Sequence, residues 1–186
     1  MTSNGRITPI TDPKTVEQIK QLLAEVADDC WDLNLLWLSR NHWVAVPSER
    51  AGNFEPLGGD LPKAMSAVEC LECFAIATEP LGDHPACYEV EASKEGLTAL
   101  WEEWFGIQFA LIPKNRLFTV LFSIEYFIVA GPKAFVELAF GVDIATARAW
   151  FDEAVEIYLT SDWESTKRLG KGLREVANRY RSLGEP

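Results

Sequence analysis

Residues 107–130 form the most apolar stretch of the chain, and two polar breaks decide what it can become. Pro113-Lys114-Asn115-Arg116 interrupts it first and Glu125 interrupts it again. A membrane-spanning helix needs roughly 20 consecutive apolar residues, so this stretch does not supply one. Its pieces, 107–112, 117–122 and 126–129, have the length and composition of strands. Short turns between such pieces join antiparallel neighbours.

The remaining elements are read around this sheet. Asp12-Pro13 is a helix start, with a side-chain acceptor followed by a residue of preset φ. Val16, Ile19, Leu22, Leu23, Val26 and Cys30 then recur at helical spacing. Two short apolar runs, 32–39 and 42–46, flank Arg40-Asn41 and predict a β-hairpin whose first strand is central. Residues 47–61 predict one long loop. Asp60 predicts a cap for a helix with Ala64, Met65, Val68 and Leu71 inward. Strands are expected at 73–78 and 88–92, then a helix capped by Ser93. Further helices are expected after Pro132 and Asp143, and from a Ser161/Glu164 capping box. The expected fold class is therefore α+β: a mainly antiparallel sheet of about five to seven strands, with helices packed on it and a run of C-terminal helices. One globular domain over 1–186 is expected, with 1–11 a loose N-terminal tail.

The formal net charge is −11. An acidic surface repels phosphate backbones and anionic lipid, so neither nucleic acid nor a membrane is an expected partner. The first residues contain no continuous apolar stretch, so no secretory signal is read there. Four cysteines in 186 residues do not make a disulfide scaffold, and a reducing cytoplasm is the expected location. Seven tryptophans stand first for core filling, and second for a contact surface.

Three groups of residues are candidates for chemistry. Cys70 and Cys73 are followed after ten residues by His84 and Cys87. Two thiolates, an imidazole and a third thiolate can fill a tetrahedral zinc shell. Against this, Cys70 and Cys73 sit among Val68, Leu71, Phe74 and Ile76, as small buried hydrophobes do. No metal or other cofactor is expected, with zinc the minority alternative. Redox use of the pair ranks lower still, because Glu69 and Glu72 flank it and negative charge raises a thiol pKa. The second group is the 47–61 loop, where Asn53, Phe54, Gly58 and Gly59 are the candidate ligand contacts. A Gly-rich loop feeding a helix can cradle an anion, but no nucleotide-binding pattern follows. His42 is expected to be a half-buried strand residue.

The third group is the C-terminal helix. Up to Thr160 the chain has 11 basic and 24 acidic residues, a balance of −13. From Ser161 onward it has 6 basic and 4 acidic residues, a balance of +2. Leu169, Leu173, Val176, Tyr180 and Leu183 lay one apolar stripe along this helix. The stripe is expected to dock on the domain's own core, or, failing that, on a second copy of the chain. Gly170 and Gly172 weaken the helix and offer a hinge. No catalytic constellation is recognisable. The expected function is a non-enzymatic protein-interaction or regulatory domain, whose partner is another protein or a second copy of itself. The alternatives are a small enzyme or ligand-binding protein with its site at the 47–61 loop, and a zinc-stabilised domain.

Overall fold

A computed structural model describes residues 6–28, 32–49, 60–79, 82 and 85–183. Seven strands form one antiparallel sheet, and seven helices accompany them among the described residues. The strands are β1 (Ile7–Pro9), β2 (Val44–Glu49), β3 (Glu72–Ala77), β4 (Cys87–Glu91), β5 (Phe109–Pro113), β6 (Thr119–Phe122) and β7 (Tyr126–Gly131). The helices are α1 (Pro13–Val26), α2 (Leu35–Arg40), α3 (Leu61–Ala67), α4 (Lys94–Glu103), α5 (Lys133–Phe140), α6 (Ile144–Leu159) and α7 (Glu164–Tyr180). The sheet order is β1-β4-β3-β5-β6-β7-β2. The fold is α+β, as the pattern of elements predicts.

Alternate side chains of a strand point to opposite faces, and here both faces are buried. One face presents Ala75, Val90, Leu111, Val120 and Val129, covered by α3, α4 and α5 through Met65, Leu100, Trp104, Phe135 and Val136. The other presents Ile76, Ala110, Leu121 and Ile128, covered by α1, α2 and α7 through Ile19, Leu23, Leu38 and Tyr180. Strands wet on neither face read as continuous apolar runs, which is why 107–130 is so hydrophobic. A third cluster joins Phe151 and Val155 of α6 to Leu173 and Ala177 of α7. These two helices pack along β2 and cover that edge of the sheet. An uncovered edge is a template for unwanted pairing. The opposite edge, β1, is only three residues long.

Side-chain caps set most helix starts. The carboxylate of Asp12 accepts the Thr15 amide at 2.8 Å, and Asp143 accepts that of Thr146 at 2.9 Å. Asp60 and Ser93 cap α3 and α4 in the same way.

Four expectations are corrected. Residues 35–40 form helix α2 rather than a hairpin strand, because the Asn34 side chain accepts the Leu36 and Trp37 amides and starts a turn. Residues 47–49 belong to β2 and Leu61 to α3, so 47–61 is not one loop, and 50–59 lie outside the described residues. Part of the supposed loose tail is β1, paired with β4 from Ile7↔Val90 to Pro9↔Tyr88. The capping box at α7 does not form: Trp163 is the N-cap, and the Ser161 hydroxyl accepts only the Trp163 amide.

Candidate functional site

The site is built where α3 hands over to β3. Helix α3 stops at Ala67, and Glu69 takes a left-handed conformation at φ 54°. The Glu69 amide bonds the Ser66 carbonyl and the Cys70 amide bonds that of Met65. This pair of bonds is the Schellman ending of a helix, in which glycine usually holds the left-handed position. The Asn115 side-chain amide donates to the Val68 carbonyl at 3.1 Å and ties the helix end to the β5–β6 turn. With the chain turned, Cys70 faces the core, Leu71 faces solvent, and β3 begins at Glu72.

Between this connection and the end of β4 lies an open cleft of about 380 Å³, walled by Ser66, Glu69, Leu71, Glu72 and Glu91, with Cys70 at its floor. Leu71 is 79 % exposed although it stands in an apolar sequence context. Its carbonyl accepts the Ala92 amide at 2.9 Å, which extends the β3–β4 ladder and fixes the residue at the rim. Glu72 and Glu91 are direct cross-strand partners, and like charges in that position repel. Lys114 relieves Glu72 and Glu89, at 2.6 and 3.0 Å. The same contact holds the Glu72 carboxyl below its ordinary value. Among the described residues, no Lys or Arg is paired with Glu69 or Glu91.

The sulfur of Cys70 lies 3.6 Å from that of Cys73, which is fully buried and does not line the cleft. The hydrogen bond shared with Cys73 lowers the Cys70 thiol pKa, against the effect of burial. The same bond, together with burial, pushes Cys73 well up. Cys87 pairs with Ile76 in the β3–β4 register and belongs to the other face of the sheet. Burial raises its thiol to about 11.

The zinc cluster read from the spacing is therefore not assembled by the described residues. Cys70 and Cys73 lie in one layer and Cys87 in the other, while His84 falls outside the described residues. No group of three or more His, Cys, Asp or Glu side chains converges among the described residues. Asn53, Phe54, Gly58 and Gly59 also fall outside them. His42 is an exposed residue at φ 53°, in the Schellman ending of α2, rather than a strand residue. Two smaller, partly open pockets of about 10 and 30 Å³ have room for only about one or two water molecules.

The apolar stripe of α7 is used within the chain. Leu173, Val176 and Tyr180 are buried, and Leu169 and Leu183 pack against the same clusters. The basic residues of the helix meet the acidic body: Arg174 pairs with Glu156, Arg179 with Asp28, and Arg181 with Asp152 at 2.9 Å. The Tyr180 hydroxyl accepts the Leu33 amide at 3.0 Å, and Tyr126 donates to Asp32 at 3.2 Å. Burial raises the Asp32 carboxyl despite Arg179 nearby. This half-buried seam fastens α7 to the segment after α1 and to β7. The stripe is thus buried in cis, and three of the six basic residues after Thr160 pair with acids of the body, so α7 is docked on its own chain.

The acidic, leucine-rimmed cleft was not singled out by sequence. The composition of 66–72 reads as helix interior, and only the reversal at Glu69 turns Leu71 outward. No protein-family model matches the chain, and no curated protein or solved structure was found to match it. Among the described residues, no helix is long and apolar enough to cross a membrane.

Proposed function

We propose that this protein is a protein-interaction domain and that the cleft beside Leu71 is its binding face. The occupant is a basic segment of another protein that sets an apolar side chain against Leu71. One observation carries the reading: a fixed, 79 % exposed leucine stands among carboxylates of which Glu69 and Glu91 have no basic partner among the described residues. Apolar surface rimmed by polar residues marks a contact site, and here Leu71 with the half-buried Ala92 supplies it between the carboxylates. Unneutralised carboxylates select a cationic partner and speed its approach. The open, shallow form of the cleft suits a peptide segment better than a small molecule, which normally has most of its surface enclosed. A reducing cytoplasm is the proposed location, in keeping with three described cysteines that are free thiols.

The test is binding of a fluorescent Lys/Leu-alternating peptide, with an acidic peptide of equal length as control. Leu71→Ala is expected to weaken binding about tenfold, the scale of losing most of one buried leucine contact. Glu69→Lys with Glu91→Lys is expected to abolish it. Glu17→Lys on α1, an exposed acid remote from the cleft in the fold, is expected to change it little. Equal losses from Glu17→Lys and the cleft reversals would show mere attraction to net charge and overturn the reading.

A further inference from the structure

Cys70 in the cleft lining and Cys73 buried next to it have a chemistry that docking does not use. We infer that Cys70 and Cys73 form a thiol–disulfide exchange site that reacts with cationic disulfides entering the acidic cleft. This stands on the sulfur geometry and the cleft, and does not require a protein partner to bind there.

Two sulfurs 3.6 Å apart need to close by only about 1.5 Å to reach a disulfide bond of about 2.05 Å. The two thiols are not equivalent. Cys70 lines the cleft, shares an S···S hydrogen bond with Cys73, and has its pKa lowered by that bond. Cys73 is fully buried behind it, with its pKa raised. The lowered thiol of the residue that lines the cleft attacks, although only 4 % of that residue is exposed, and its sheltered neighbour resolves. Glu69, Glu72 and Glu91 at the rim disfavour anionic reagents and draw cationic ones.

The reaction balances as two exchanges. The Cys70 thiol gives up its proton, and its sulfur attacks one sulfur of the disulfide. A mixed disulfide forms, and the first small thiol leaves carrying that proton. Cys73 then loses its proton and attacks the Cys70 sulfur, closing the Cys70–Cys73 bond and releasing the second small thiol. The protein loses two hydrogens and two electrons, and the small disulfide gains them. Cys87, buried in the opposite layer with its thiol raised to about 11, is the internal control.

The experiment treats the reduced, folded full chain with cystamine, a cationic disulfide, and with dithiodipropionate, an anionic one. Each rate is divided by that of the same reagent with free cysteine. Cystamine is expected to oxidise the protein at least tenfold faster on this scale at low salt, with the ratio collapsing in high salt. Blocking free thiols and then cleaving after Glu69, Glu72 and Glu89 is expected to leave peptides 70–72 and 73–89 joined through Cys73, with Cys87 carrying the block. Cys73→Ser is expected to stop at a stable mixed disulfide on Cys70, and Cys70→Ser to leave Cys73 unmodified. Loss of the native circular dichroism in a variant removes only that arm, because the mapping on the wild-type chain decides alone. A Cys70 that reacts only after unfolding, or a bond mapped elsewhere, overturns the site. Equal normalised rates for the two reagents overturn the assignment of a cationic substrate. Failure of the Lys/Leu peptide to bind, with exchange intact, overturns the docking reading and leaves this one standing.

Discussion

Gly170 and Gly172 stand two residues apart on α7 and do opposite things. A Cβ at Gly170 meets the Leu159 backbone nitrogen and the Tyr158 Cβ at 2.9 Å, whereas one at Gly172 meets nothing within 4 Å. The first glycine is the place where α7 crosses the end of α6, and the second is an exposed interior position of the helix. Neither acts as a hinge, because the helix runs unbroken from Glu164 to Tyr180. Gly172→Ala is therefore expected to stabilise the protein by roughly 0.5–1 kcal/mol, the cost of glycine in a helix interior. Gly170→Ala is expected to destabilise it, since the crossing must open by several tenths of an ångström. Urea unfolding of both variants checks the two signs together. Tyr180→Phe tests the seam at the same scale: it removes the acceptor of a buried amide, and a loss of about 1–3 kcal/mol is expected.

At the scale of elements, helix starts were legible and two helix ends were not. Asp12, Asp60, Ser93 and Asp143 announce their helices because a short polar side chain before an apolar repeat has a specific electrostatic task. The ends of α2 and α3 carry no such sign. Both close in Schellman turns, but His42 and Glu69 occupy the left-handed position where glycine would have marked the stop. Without that mark, 32–46 reads as two strands and 64–71 as one continuous helix. The acid caps also make a pH prediction. Hydrogen bonds to Thr15 and Thr146 hold the Asp12 and Asp143 carboxyls below 3.8. A depressed folded pKa contributes stability above the unfolded value, which is lost as pH falls through the folded one. Asp143→Ala is thus expected to lower the thermal midpoint at neutral pH, with the difference fading below about pH 4. A difference that persists undiminished at about pH 2 contradicts this origin.

For the whole molecule, the antiparallel sheet was legible because apolar runs broken by short turns leave few other folds open. The candidate site was not, because it depends on one reversal of the backbone that places Leu71 outside and Cys70 inside. The charge pattern of the chain was visible in sequence, but its use was not. The six basic residues after Thr160 suggested a surface for a second copy, yet Arg174, Arg179 and Arg181 pair with acids of the same chain. Helix α7 completes two of the buried clusters, so a chain ending at Thr160 is expected to lose cooperative unfolding. With that helix docked on its own chain, the cleft beside Leu71 is the face proposed for a basic partner. Amide chemical-shift mapping with the Lys/Leu peptide tests this most directly. Perturbations centred on 66–72 and 91–92, with α7 unmoved, are the predicted result; perturbations centred on 169–183, or spread evenly over the acidic surface, would contradict it.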